Sequence, residues 1–254
     1  MLTMNHTAVY FLKALRAFEE ETKDRNLAVK NAVEYIDKNV SLLLLPDAIR
    51  MYGPRQQFHF TEHPVTHEVS SVKFNTTPDK LKGIKDAFEA DLKADIPKCV
   101  IDEMSHPEVF AEVNPTWAET AYATHLYQDC AWDKWIREMV FIGQRFDDKF
   151  SYYKNGREVN GSTFRQELGP LDNVFFQEIA KQIYAEFGVL LNEDWFEKHV
   201  YANFLRDYDK ELADNTWKYI KLPSLDENLQ LPDFVPEGEL SEAVTKMTEA
   251  TVLF

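Results

Sequence analysis

The chain has 254 residues, of which 44% are hydrophobic and 13% aromatic, and this apolar content predicts a packed globular protein and excludes a disordered one. Its 43 acidic and 28 basic residues give a net charge of −15, which argues against direct binding of nucleic acid, because phosphate binding needs clustered lysine and arginine. No apolar run reaches the roughly 18 residues of a membrane span, so no membrane contact is expected either.

The first 50 residues predict three helices. In the first, apolar residues recur at helical spacing: Phe11, Ala14, Leu15 and Phe18. A second helix is expected from about Asn26. A third apolar segment then continues until Gly53 and Pro54 interrupt it.

From Arg55 apolar and polar residues alternate, with a period of two residues. This alternation predicts a first β-hairpin or pair of strands within Phe58 to Phe74. Three histidines, His59, His63 and His67, lie four residues apart in this segment. They are candidate metal ligands, although a polar sheet face with no ligand role has the same pattern.

A helix is expected from Thr77 to just before Pro97. The residues Glu103 and His106 follow it at the spacing of a carboxylate–histidine ligand pair in di-iron helix bundles, and are further metal candidates. The bundle design needs two such pairs, whereas the sequence contains one, so this metal interpretation stays open.

A long helical segment without proline follows Pro115. On one face of it lie His125, Asp129 and Asp133, at positions i, i+4 and i+8. Three side chains in this register can chelate a divalent cation, and a histidine–aspartate pair can transfer protons, so the three are candidate catalytic residues. The same spacing is also typical of a solvated, charged stripe on a helix surface.

The Asn155–Gly156 step predicts a second β-hairpin. A further helix is expected to stop at Gly188, and Asn192 is a good N-cap for the next one. The buried face of that next helix is predicted from four residues: Phe196, Val200, Phe204 and Tyr208.

The composition changes after Leu222. Residues 223–254 contain three prolines, one lysine and seven acidic residues, which is typical of an extended acidic arm. Ser241 is the predicted cap of a short closing helix within it. The arm also carries apolar residues that predict docking, onto this chain or a neighbour: Leu229, Leu231, Phe234, Val235, Val252 and Phe254.

Together these patterns predict an α+β fold, with a mostly helical single domain over residues 1–222 that contains two small antiparallel β-hairpins, and an extended C-terminal arm over residues 223–254. Cys99 and Cys130 are too few for a disulfide framework, and the first residues lack a secretory signal pattern. We therefore expect a cytoplasmic protein, or a virion component if the chain is viral.

The absence of known catalytic motifs favours a non-enzymatic protein–protein interaction or assembly component, with no cofactor and with other subunits, itself or a larger assembly as partner. In composition the chain resembles bacteriophage-encoded components, which implies a structural subunit of a larger particle. A metal-dependent or histidine/carboxylate hydrolase is the alternative. An acidic inhibitor or mimic of nucleic acid is a further one.

Overall fold

A computed structural model of the chain describes residues 1–49, 118–142, 151–153, 158–159, 161–236 and 238–254. Helices make up 75% of the interpretable residues. They are α1 (Thr3–Thr22), α2 (Arg25–Leu43), α3 (Leu45–Ala48), α4 (Ala121–Val140), α5 (Gly161–Phe187), α6 (Glu193–Phe196), α7 (Ala202–Asp207), α8 (Lys210–Trp217) and α9 (Glu239–Ala250), with a π-helical turn, Glu197–Tyr201, between α6 and α7.

The α+β prediction is wrong, because the described part of the chain is helical. Three extended segments of two, three and two residues pair antiparallel in the order β1 (Phe141–Ile142), β2 (Ser151–Tyr153) and β3 (Glu158–Val159), which is too little to form a layer. Gly161 is the first residue of the 27-residue helix α5. The first predicted hairpin, Phe58 to Phe74, lies outside the described residues.

The reason for this error is that burial outweighs local turn signals. Helix α5 carries a continuous apolar face into the core, formed by Leu171, Phe175, Ile179 and Ile183. A short hairpin buries little apolar surface by itself, so it does not set the fold class.

A tight connection joins α1 to α2. Lys23 takes a left-handed conformation with φ 55° and donates its N–H to the carbonyl of Glu19, which ends α1. Asp24 then caps α2, because its side chain accepts hydrogen bonds from the N–H groups of Asn26 and Leu27. Helix α1 packs on α2, α5 and α9, and is thereby at the centre of the bundle.

The signals that surround the end of α5 are confirmed. Gly188 has φ 72°, a conformation that L side chains rarely adopt, and the helix ends there. The side chain of Asn192 accepts a hydrogen bond from the N–H of Trp195 and so caps α6. The four residues predicted to form the next buried face are all buried: Phe196, Val200, Phe204 and Tyr208.

The C-terminal arm packs on its own chain. Phe234 and Val235 are buried in the same hydrophobic cluster as α1, α4 and α5, as are Val244 and Met247 of α9. Helix α9 begins at Glu239 after Gly238, so the prediction that Ser241 caps it is wrong. The arm thus completes the core of this chain.

Within the described residues no helix combines the length and the apolarity needed to cross a bilayer. This agrees with the short apolar runs of the sequence.

The arm's role in the core predicts unequal effects for two Phe→Ala substitutions. Phe234 is 2% exposed and Phe254 is 46% exposed. We expect Phe234→Ala to lower the free energy of unfolding by about 3 kcal/mol, because it leaves a cavity, and Phe254→Ala to lower it by less than about 1 kcal/mol. Urea denaturation followed by tryptophan fluorescence measures both, and equal losses would contradict the burial of the arm.

Candidate metal centre

A cluster of polar side chains lies inside the bundle where α1, α3, α4 and α5 meet. Helix α1 is buried without interruption from Thr3 to Leu12, although this stretch includes Asn5 and His6. A polar group in an apolar interior needs a partner, since its desolvation is otherwise not offset. The contacts of these side chains therefore show what the cluster is built to hold.

Two histidines form the middle of the cluster. The rings of His6 and His125 stack with their centroids 3.7 Å apart and their planes 16° from parallel, and both side chains are fully buried. Asp129, one turn after His125 on α4, faces both rings. Its Oδ1 is 3.2 Å from His6 Nε2, and its Oδ2 is 3.6 Å from His125 Nε2.

A hydrogen-bond chain fixes the tautomer of His6. Thr251 Oγ1 donates to the carbonyl of Met247 at 2.8 Å, so it accepts from Gln128 Nε2 at 2.9 Å. This orientation leaves Gln128 Oε1 facing His6 Nδ1 at 2.7 Å. Because an amide oxygen only accepts, His6 Nδ1 carries the proton.

In the neutral ring, His6 Nε2 is then an acceptor that faces another acceptor, Asp129 Oδ1. Among the described residues, His6 Nε2 makes no hydrogen bond of acceptable geometry, despite the short distance to the carboxylate. The Met1 ammonium donates to the same Asp129 Oδ1 at 3.1 Å and offsets part of its charge, and a proton or a metal cation between the two acceptors would offset the rest.

A second carboxylate approaches the histidines from α3. Thr3 Oγ1 donates to Asp47 Oδ2 at 3.1 Å. One ligand atom from each of His6, Asp47 and His125 lies within 4.8 Å of the other two. Ligand atoms that share one ion at about 2.1 Å are roughly 3.0 to 3.4 Å apart for octahedral and tetrahedral angles, so small side-chain shifts bring these groups onto a common ion.

A third carboxylate, Asp172 of α5, lies on the other side of α1. Its Oδ1 accepts from the N–H of Leu2 at 3.2 Å and from Asn5 Nδ2 at 2.9 Å. Burial raises the pKa of Asp172, and this effect is opposed by the Met1 amino group, by these two hydrogen bonds and by His6. The carboxyl group thus holds its proton to a higher pH than an exposed aspartate does.

The phenol of Tyr122 is also part of this region. Burial raises its pKa well above 10, and the nearby Tyr208 and Asp47 raise it further. Tyr122 therefore stays protonated at neutral pH and can act as a hydrogen-bond donor beside the negative carboxylates.

The structure brings together two of the predicted catalytic residues, His125 and Asp129. Both are buried, so the interpretation of their face as a solvated stripe is wrong for these two positions. The side chain of Asp133 lies outside the described part of the chain. So do the predicted metal ligands His59, His63, His67, Glu103 and His106.

The residues predicted to bind partners have different environments. Phe234 and Val235 are buried in the core of the same chain. Leu229 and Leu231 are partly exposed, whereas Val252 and Phe254 are 38% and 46% exposed.

Sequence reasoning missed His6, Asp47 and Asp172. Each is a polar residue within an otherwise apolar helix or segment: Asp47 of α3 follows a run of four leucines and Pro46, and Asp172 precedes Val174 and two phenylalanines. A lone acid in the most apolar part of a sequence is a signal for a buried carboxylate, because solvated acids normally lie in polar surroundings.

Comparisons of the chain with known protein families, with curated proteins and with solved structures found no match. The function must therefore be inferred from the geometry of the site.

The raised pKa of Asp172 predicts how its replacement changes stability with pH. The folded state holds this proton more tightly than the unfolded state, so wild-type stability falls as pH rises from 3.8, the ordinary value, through the raised value. Asp172→Asn stays neutral and keeps an oxygen acceptor for Leu2 and Asn5. We expect its stability relative to wild type to increase between pH 4 and 7.

This dependence can be measured by urea denaturation with a chelator present, so that no metal ion contributes. A difference between variant and wild type that is constant across this pH range would show that Asp172 is ionised in the folded state as readily as in the unfolded one.

Proposed function

We propose that the protein binds one divalent transition-metal ion in its core, with His6, His125 and Asp129 as ligands and Asp47 as a fourth. The observation that carries this proposal is the lone pair of His6 Nε2, which faces Asp129 Oδ1 at 3.2 Å while Gln128 holds the proton on Nδ1. A ligating histidine commonly donates its other ring N–H to an oxygen acceptor, which fixes the tautomer and the ring orientation.

The donor types decide the class of ion. Two imidazole nitrogens suit zinc, iron, cobalt or nickel, whereas magnesium and calcium prefer sites made of oxygen. Two histidines with one or two carboxylates also match the ligand sets of catalytic zinc and of non-haem iron(II). Zn²⁺ and Fe²⁺ are therefore the first ions to test.

The electrostatics of the cluster support the same proposal. Asp47, Asp129 and Asp172 are each at most 8% exposed. The Met1 ammonium, 3.1 Å from Asp129 Oδ1, offsets one of these charges; a carboxylate left uncompensated in a protein interior costs several kcal/mol, so the cluster favours an additional positive charge. A divalent cation supplies this charge without placing two positive rings in a stack.

Metal binding is tested by titrating the chelator-treated protein with Zn²⁺ and by elemental analysis of the purified chain. We expect one ion per chain. His6→Ala, His125→Ala and Asp129→Asn should each weaken binding by at least about 100-fold, because loss of a ligand exceeds the 10- to 100-fold effect of an outer contact.

The control is His199→Ala. His199 is also buried and also faces an aspartate, since its Nδ1 lies 2.8 Å from Asp37 Oδ1. This pair belongs to the π-helical turn and α2, away from the cluster, so its loss should leave the stoichiometry and the affinity unchanged. Equal losses of Zn²⁺ affinity in His6→Ala and His199→Ala would indicate a general effect of damage to the fold.

Metal-dependent hydrolysis is the second candidate function. Its support is the donor set of nitrogen and oxygen without a thiolate, which is typical of catalytic zinc sites, whereas structural zinc sites are rich in cysteine. The ligands His6, His125 and Asp129 are at most 2% exposed, so a bound ion would polarise a substrate or activate a water only after the bundle opens. The phenol of Tyr122, whose pKa is raised well above 10, is available as a hydrogen-bond donor in this region.

This activity can be measured with the Zn²⁺-loaded protein on p-nitrophenyl phosphate, bis(p-nitrophenyl) phosphate and p-nitrophenyl acetate. We expect hydrolysis of at least one ester, with a rate that Asp129→Asn lowers by about 100-fold or more and that His199→Ala preserves. A metal-loaded protein that hydrolyses none of the three would favour a structural ion.

The interaction or assembly function stays a prediction. It depended on apolar residues of an acidic arm that were free to dock, and Phe234 and Val235 are already buried in their own chain. The exposed Val252 and Phe254 are the remaining contact candidates within that set.

A further inference from the structure

We propose that Gln128 and Thr251 couple metal binding at His6 to the docking of the C-terminal segment, residues 251–254. This inference rests on the proposed metal centre and concerns its regulation. Gln128 and Thr251 would act as positioning residues, since they touch the ligand His6 directly or through one intermediate.

The coupling follows from the contacts between the centre and this segment. His6 Nδ1 is bound to Gln128 Oε1, Gln128 Nε2 donates to Thr251 Oγ1, and Thr251 Oγ1 donates to the carbonyl of Met247. All of these side chains are at most 2% exposed, so water does not compete for the bonds. The chain of donors therefore has one direction, from the imidazole to the last turn of α9.

The direction of this series of hydrogen bonds depends on which nitrogen of His6 is protonated. An ion on Nε2 requires the proton on Nδ1, and hence the orientation of Gln128 in the structure. Without the ion, the ring of His6 can carry its proton on Nε2 instead, where a small rotation of the ring aligns it with the carboxylate of Asp129, 3.2 Å away. Gln128 must then reverse its amide, and Thr251 must donate to it and lose its bond to Met247.

The segment after α9 makes polar contacts with α4, through Thr124, and with α2, through Tyr35. Thr124, next to His125, donates its hydroxyl to the carbonyl of Val252 at 2.8 Å. The hydroxyl of Tyr35 accepts from the N–H of Phe254 at 2.8 Å and donates to its carbonyl at 2.9 Å.

Apolar burial here comes from Leu253, which is partly buried and packs against the core, since Val252 and Phe254 are more than a third exposed. A segment held in this way releases at low cost when one of its bonds is lost. The Thr251 bond to Met247 ties residue 251 to the last turn of α9, so its loss loosens the end of the helix from which residues 252–254 extend.

Hydrogen exchange of the full chain, with and without Zn²⁺, tests the coupling. We expect Zn²⁺ to slow the exchange of the amides of residues 251–254 by about tenfold. Since coupling between two sites is reciprocal, Thr251→Val should weaken Zn²⁺ binding by a similar factor, within the 10- to 100-fold range of outer contacts to a metal ligand. In this variant the ion should no longer protect the segment.

The matched control is Thr245→Val. Thr245 lies on the exposed face of α9, where its hydroxyl donates to the carbonyl of Ser241. This variant should bind Zn²⁺ and protect residues 251–254 as wild type does. If Thr251→Val fails to fold, the comparison of wild type with and without Zn²⁺ decides by itself.

Failure of the coupling and failure of the metal centre are distinguishable. Wild-type protein that binds Zn²⁺ with unchanged exchange at residues 251–254 would refute the coupling and leave the metal centre intact. Wild-type protein that binds no Zn²⁺ would refute both.

Discussion

The carboxylate of Asp129 lies in the protein core between two imidazole rings, and the other polar contacts of the interior are arranged around this interaction. His6 and His125 stack on each other and direct their Nε2 atoms toward it. A charge in this position must be balanced, because the interior offers no water to solvate it. The Met1 ammonium, 3.1 Å from Asp129 Oδ1, supplies part of this balance, and Gln128 and Thr251 orient the ring of His6 through its Nδ1.

The apolar bundle makes this arrangement possible by holding four helices rigidly around the polar groups. Trp132 packs on Trp135 and Phe175, with ring centroids 5.1 and 4.8 Å apart, and so joins α4 to α5 a short distance from Asp129. Phe234 and Val235 close the same core from the C-terminal arm. Ligands on separate rigid elements keep their geometry, which is the condition for selective metal binding.

Local signals in the sequence predicted the helical elements well where apolar spacing and caps agree. The stop at Gly188, the cap at Asn192 and the buried face that contains Phe204 are of this kind. The α+β class was wrong because the paired segments on either side of Asn155 are only two or three residues long, whereas α5 and the other helices carry the buried apolar residues. The i, i+4 spacing predicts two residues of the candidate metal centre, His125 and Asp129. His6 and Asp47 reach the same place through tertiary packing, about which the spacing within one helix carries no information.

The protonation state of His6 decides between a metal centre and a buried ion pair, and long-range ¹H–¹⁵N correlation spectra of the histidine rings report it directly. In a metal centre, His6 carries its proton on Nδ1, and addition of Zn²⁺ to the chelator-treated protein shifts the Nε2 resonances of both His6 and His125. Rings of His6 and His125 with both nitrogens protonated, and spectra that do not change with Zn²⁺, would contradict the metal centre.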